Sequence, residues 1–179
     1  MAKATITLEG RIFRRQYLLY VIELINSGHR YYYIGQTGDR KYITARPPFR
    51  RLMGHLEDIG QSTQNQLYRF IAADLLLISD ARQKVAFSEN IKQQVEDFLV
   101  NSMLHMHVYP LETFRPDATH SEHMEVLRKV EELERHVIKR FRDRGLRLAN
   151  INISAPKNTS LPYADIFGEI ERDFGLSVV

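Results

Sequence analysis

The stretch that decides the fold is Tyr17-Leu18-Leu19-Tyr20-Val21-Ile22-Glu23-Leu24-Ile25-Asn26-Ser27-Gly28-His29-Arg30-Tyr31-Tyr32-Tyr33-Ile34-Gly35-Gln36. Tyr17–Leu24 and Arg30–Gln36 are rich in β-branched and aromatic side chains, which suit a pleated, half-buried surface. Asn26-Ser27-Gly28 between them is turn chemistry, so the two halves read as a β-hairpin. With Asn26–His29 as a four-residue loop, Ile22 lies opposite Tyr33 and Tyr20 opposite Gly35. Tyr20 and Tyr33 are then diagonal neighbours on one sheet face. A slip of one residue would undo this relation, because side chains alternate between faces.

Downstream of the hairpin, Gly38 to Pro48 reads as a loop, and Pro47-Pro48 gives a rigid entry to a helix over Phe49–Ile59. On that helix Phe49, Leu52, Met53, Leu56 and Ile59 form an apolar stripe. Arg51 and His55, spaced i and i+4, share another face and are expected to point away from it. Thr63–Ser79 and Ser88–Met103 read as two amphipathic helices whose stripes are packing surfaces. Met106–Leu111 is a third strand interrupted by Pro110. A long helix opens with the capping box Thr119-x-x-Glu122 and runs to about Arg144. Asp165–Phe174 is a short terminal helix. Upstream, Ile6, Leu8, Gly10 and Ile12 alternate with polar residues, which predicts an N-terminal strand.

These elements predict an α+β fold, a small three-stranded antiparallel sheet flanked by helices, with added helices and an N-terminal strand. One domain is expected over residues 1–179, with 61–118 largely an elaboration and 160–179 a terminal helix.

Composition bounds the function. Apolar residues make up 44% of the 179-residue chain, enough for a core, and there is no cysteine, so disulfides, iron–sulfur clusters and thiolate zinc sites are excluded. No stretch reaches the roughly 20 apolar residues that cross a bilayer. The first residues lack a long apolar signal region, and a cytoplasmic protein is expected. The net charge of +3 is unevenly placed. Residues 1–60 hold ten of the 25 Lys and Arg (Lys3, Arg11, Arg14, Arg15, Arg30, Arg40, Lys41, Arg46, Arg50, Arg51) but five of the 22 acids. A positive excess around the hairpin suits a polyanionic partner, or is simply a solvated basic surface.

The long helix carries an unusual carboxylate. At about 100° per residue from Val126, the apolar Val126, Leu127, Val130, Leu133, Val137, Ile138 and Phe141 form one stripe, and Glu134 falls inside it. Glu125, Glu132, Arg128, Lys129, Lys139 and Arg140 fall on the far side. A carboxylate on a buried face is costly unless paired, protonated or metal-bound. Glu134 is therefore either a structural ion-pair partner of an arginine, or a catalytic or metal-binding group. A hard divalent ion needs only one or two protein carboxylates, so one glutamate suffices. His105, His107, His120, His123 and His136 are not expected to form a metal site.

Together these residues resemble the GIY-YIG nuclease superfamily. Its second tripeptide is intact as Tyr33-Ile34-Gly35, continued by Gln36-Thr37. The first is degenerate, because Leu18-Leu19-Tyr20 keeps only the tyrosine. Arg51-Leu52-Met53-Gly54-His55 resembles the family's Arg-x-x-x-His, Glu134 its helical glutamate and Asn150 the asparagine that often follows. The match covers Tyr17–His55 and Ser121–Asn150, under half of the chain.

The resemblance implies a metal-dependent DNA endonuclease, in the manner of a type II restriction enzyme, that cuts double-stranded DNA with Mg²⁺ or Mn²⁺ held at Glu134. It implies that Tyr20 and Tyr33 activate or orient the attacking water, that Arg51 contacts the phosphate and that His55 assists. Arg51 is preferred over Arg46 and Arg50 because His55 follows it at helical spacing. Arg11, Arg14, Arg15, Lys41, Arg46 and Arg50 are the DNA-binding candidates, a homodimer would serve to cut both strands, and no membrane is involved. The alternative is a non-cleaving or structure-specific nucleic-acid-binding protein on the same fold.

Overall fold

The structure, a computed structural model, describes residues 7–57, 65–79, 81–82, 86–150 and 154–176. Strands β1 (Gln16–Asn26) and β2 (His29–Gln36) form the antiparallel hairpin. Its register pairs Tyr20 with Gly35 and Ile22 with Tyr33, as the turn chemistry implies. Ser27 and Gly28 have φ of 48° and 78°. Two successive left-handed residues make the tight turn whose twist matches that of the strands it joins.

Strand β3 (Ser102–Thr113) pairs antiparallel with the other side of β1, giving the order β2-β1-β3. It is longer than Met106–Leu111 because it follows β1 from Asn26 opposite Ser102 to Gln16 opposite Thr113. Pro110 fits because β3 is an edge strand and the register shifts beside it, between Tyr17 and Leu18.

The fold is α+β, with helices on both faces of the sheet. Central β1 is buried from Tyr17 to Leu24, which explains its nearly unbroken apolar sequence. Leu18, Tyr20 and Ile22 face α1 (Pro48–Leu56) and α2 (Gln66–Phe70), packing with Leu52, Leu56, Leu67 and Phe70. Helix α2 runs into one π-helical turn, Ile71–Leu75. Helix α3 (Glu89–Val100) is capped by Ser88, whose hydroxyl accepts from the Ile91 N–H. On the opposite face Leu19 and Val21 meet Leu133, Val137 and Phe141 of α4 (His120–Asp143) and Ile170 of α5 (Ala164–Asp173). Helix α4 begins with the full Thr119/Glu122 capping box, satisfying two end donors at once.

Three further sequence expectations change. The N-terminal strand is absent among the described residues: Gly10–Phe13 is a 3₁₀ turn, residues 7–9 belong to no strand, and residues 1–6 lie outside the described chain. Phe13 packs on Phe49 with ring centroids 5.2 Å apart, so this segment buttresses α1 instead of extending the sheet. Helix α1 stops at Leu56, where Glu57 turns extended; Ile59 lies outside the described residues. Finally, Glu132 is buried instead of solvated: its carboxylate pairs with Arg135 and accepts the Lys157 and Asn158 N–H groups. The segment that covers it is remote in sequence, so helical periodicity could not reveal it.

Helix α5 turns Ile170 into the core, and Leu176 just beyond it is buried there too. No described helix is long and apolar enough to cross a membrane.

Candidate active site

The hairpin register sets two aromatic side chains side by side. Tyr20 and Tyr33 stack with centroids 6.3 Å apart and an interplanar angle of 28°. Gly35, opposite Tyr20, is what makes room. A Cβ there would lie 2.9 Å from Tyr20 Cε2 and closer still to the Tyr20 Cζ and hydroxyl. The glycine of Tyr33-Ile34-Gly35 is therefore required by the Tyr20 ring. Leu18, where the first tripeptide has its glycine in the resembled family, is fully buried in the α1/α2-facing cluster and simply fills space.

Helix α1 closes over these rings with the face that carries Arg51 and His55. Sequence spacing turned that face away from the sheet, with Met53 inside. The structure keeps Leu52 and Leu56 of the expected stripe on the sheet but exchanges the other two: His55 is 1% exposed and Met53 48% exposed. The reason lies in what the sheet offers. The Tyr20 hydroxyl provides a hydrogen-bond partner for polar groups at helical spacing, and Met53 gains nothing there.

The Tyr20 hydroxyl lies 2.8 Å from His55 Nε2, and Arg51 Nε donates to it at 3.2 Å. The His55 ring also packs on Tyr33, with centroids 4.3 Å apart. With the Tyr20 oxygen accepting from Arg51, its own proton is available to His55 Nε2 in the tautomer that leaves that nitrogen unprotonated. Apart from Nε, the Arg51 guanidinium makes no hydrogen bond or ion pair among the described residues.

Glu134 of α4 belongs to the same electrostatic cluster. It raises the pKa of Tyr20 and Tyr33 and helps to hold Arg51 charged against the effect of burial. Glu134 forms no hydrogen bond or ion pair among the described residues, whereas its neighbours are engaged. Glu131 pairs with Arg40 at 2.6 Å and Arg135 at 3.4 Å, and Glu132 with Arg135 at 2.7 Å. This decides against the structural ion-pair reading of Glu134. The residue keeps some solvent exposure, yet surrounding protein and then Glu131 push its pKa up to about 7, against the lowering pull of Arg51, Arg135 and Arg40. Burial also pushes Tyr20 above its ordinary value, and Arg51 offsets only part of the rise. Tyr33 is raised further, by burial and then by Tyr20 and Glu134.

Asn150 secures the second tripeptide. Its Oδ1 accepts from the Ile34 N–H at 3.0 Å and its Nδ2 donates to the Ile34 carbonyl at 2.7 Å. Beside it, the Tyr32 N–H donates to the Arg147 carbonyl and the Ala149 N–H to the Tyr32 carbonyl. Residues 147–150 thus satisfy the outer edge of β2. Thr37, missed in the sequence, ties the strand ends: it donates to the Gln16 carbonyl at 2.7 Å and accepts the Leu18 N–H at 3.2 Å.

The basic residues lie on segments that pack together. Arg11, Arg14 and Arg50 are exposed on the 3₁₀ turn, just beyond it and on α1, which meet through Phe13 and Phe49. Arg15 reaches Thr44 and stacks on Phe114. Lys41 is exposed on the loop, and Arg46 pairs with Asp39 at 3.3 Å. Buried His123 has both ring nitrogens occupied, by the Tyr17 hydroxyl at 2.5 Å and the Asp39 carbonyl at 2.7 Å, and so anchors this loop.

One carboxylate without a protein cation, beside a guanidinium with free N–H groups, suits a hard divalent ion that keeps most of its water. Glu134 thus fits as the protein ligand of Mg²⁺ or Mn²⁺. Comparison with protein-family models, curated proteins and solved structures gave no match.

Proposed function

We propose that this chain is a metal-dependent endonuclease that hydrolyses phosphodiester bonds in double-stranded DNA, acting in the cytoplasm in the manner of a type II restriction enzyme. The supporting observation is the assembly of Tyr20, Tyr33, Arg51 and His55 on one sheet face beside an unpaired Glu134. Five chemistry-bearing groups from three separated stretches form one cluster, as the resemblance to GIY-YIG nucleases implies.

Mg²⁺ or Mn²⁺ held by Glu134 would supply positive charge to the phosphoryl oxygens and the leaving oxygen. The chain's own groups carry the rest. Arg51 turns its free guanidinium N–H groups to the phosphate, a permanently charged fork suited to that anion. Its departure uncovers the Tyr20 hydroxyl. A water there gives a proton to the Tyr20 oxygen while Tyr20 passes its own to His55 Nε2. The water oxygen bonds to phosphorus, the bond from phosphorus to the leaving oxygen breaks, and that oxygen takes a proton from solvent. The relay removes the need for a free tyrosinate, which the raised pKa of Tyr20 makes scarce. Tyr33 holds the His55 ring and the water side of Tyr20 in place. Lys41, Arg46, Arg50, Arg11, Arg14 and Arg15 supply the sequence-independent attraction to the backbone.

The test is incubation of the purified chain with mixed plasmid DNA in Mg²⁺, Mn²⁺ or EDTA, with Glu134→Ala beside it. Discrete fragments that require both metal and Glu134 support the reading. Binding without cutting in every condition favours a non-cleaving or structure-specific binding protein instead, a reading motivated by the complete burial of Tyr20.

A further inference from the structure

On the sheet face opposite Tyr20, three potential ligands gather at the β1/β3 border. Glu23 of β1 lies directly across from His105 of β3, and His107, two residues on, shares the His105 face. One ligand atom from each of Glu23, His105 and His107 lies within 4.8 Å of the other two. The Glu23 carboxylate is already oriented. Its Oε1 accepts from Arg30 at 2.8 Å and from the Tyr32 hydroxyl at 3.2 Å, leaving Oε2 turned to His105 Nδ1 at 3.2 Å. The His107 ring packs against Phe174 at 5.0 Å, and its buried Nε2 has no hydrogen-bond partner among the described residues. His105 remains half exposed and gives solvent access to the group. A buried imidazole nitrogen without a partner is costly.

We propose that Glu23, His105 and His107 form a transition-metal site, separate from Glu134 and selective for Zn²⁺ or a similar ion. Two imidazoles and one carboxylate are a borderline donor set that suits Zn²⁺, Co²⁺ or Ni²⁺, not Mg²⁺. Arg30 and Tyr32 act as the outer groups that hold the carboxylate in place, as is usual around ligated metals. Three protein ligands leave the remaining position to water. Because its ligands come from the central strand and the edge strand β3, the ion serves to pin that edge and the Phe174 segment packed on it. The two sites sort ions by hardness: the lone Glu134 takes a hydrated hard ion, the mixed site takes a softer one.

The experiment is calorimetric titration of tag-free, chelator-treated full-length protein with Zn²⁺ alone, with Co²⁺ absorption and thermal melting in parallel. One Zn²⁺ should bind per chain at micromolar or tighter Kd and, at about 100 times Kd, raise the Tm by about 5–10 °C. His105→Ala, an exposed position, should weaken binding at least tenfold without altering the far-ultraviolet circular dichroism. His107→Asn should do the same, while Glu134→Ala keeps full Zn²⁺ affinity. Millimolar Mg²⁺ should not compete. Absence of binding to the wild-type chain, or binding that is unchanged in His105→Ala or lost in Glu134→Ala, would overturn the site.

Discussion

The Tyr20 ring lies across the α-carbon of Gly35, so that a single added methyl group has nowhere to go. Tyr20 is fully buried, so the ring cannot swing aside without disturbing His55 and Arg51, which hold its hydroxyl. Gly35→Ala should therefore cost about 1–3 kcal/mol of stability, the usual range for overpacking. The proposed nuclease activity should fall further than stability does. Urea melts beside single-turnover cleavage rates check this, and a variant with normal rate and normal stability would show that the ring is free to move.

Tyr20→Phe keeps the ring and removes only the hydroxyl shared by Arg51 and His55. The expected loss is about 10²–10⁴-fold in rate, the range for a positioned acid–base group. His55→Asn should lose a similar factor through the same relay. Combining the two should add little, because they serve one proton path. Multiplicative losses would mean that they act separately.

Glu134 gives the protein a pH signature. Its folded pKa of about 7 exceeds its ordinary value of 4.5. Below about 4.5 the residue is protonated in both folded and unfolded chains and costs nothing. Between about 4.5 and 7 the unfolded chain ionises first, so metal-free stability declines as pH rises and levels off above 7. Glu134→Gln should thus stabilise the metal-free protein by about 1–3 kcal/mol at pH 8 and hardly at all at pH 4.5. Thermal melts in EDTA at the two pH values measure the difference.

On the proposed role of Glu134, the same proton would compete with the cation. Apparent Mg²⁺ affinity should rise with pH toward 7 and flatten above it, with proton release on binding. Cleavage measured against Mg²⁺ concentration at several pH values reads this directly; an affinity independent of pH across that range would detach the metal from Glu134.

Arg51 and Arg46 differ in what they touch. Arg51 holds the Tyr20 hydroxyl, whereas Arg46 pairs with Asp39 on the loop. Arg51→Ala should depress the single-turnover rate with little change in DNA affinity. Arg46→Ala should weaken binding and reduce its salt dependence, as expected for a phosphate contact. The reverse pattern would move the phosphate-clamping role to Arg46.

What the sequence revealed followed from local rules. The hairpin register rests on the Ser27-Gly28 turn and the period of two, and the α4 start rests on a capping box, so both could be read from a few adjacent residues. Glu134 stood out because one helix turn defines its stripe. The orientation of α1 could not be read in this way, because His55 is buried by a polar partner on another element instead of by hydrophobicity. Glu132 misled for the same reason, its cover coming from residues 157 and 158. The Glu23–His105–His107 group needed the β1/β3 register, though His105 and His107 at alternate positions of a strand were a usable signal.

The grip of Asn150 on Ile34 has a consequence for the order in which the molecule becomes complete. Tyr20, Tyr33, Arg51 and His55 emerge within the first third of the 179 residues, but Glu134 follows His55 only 79 residues later and the residues that brace β2 later still. A growing polypeptide therefore carries these four side chains well before it owns the Glu134 carboxylate. The cleaving function, on the proposal made above, switches on only when α4 has docked and the 147–150 segment has closed against the strand. On that proposal synthesis itself acts as a timer, and a chain that stalls before α4 would leave the DNA around it uncut.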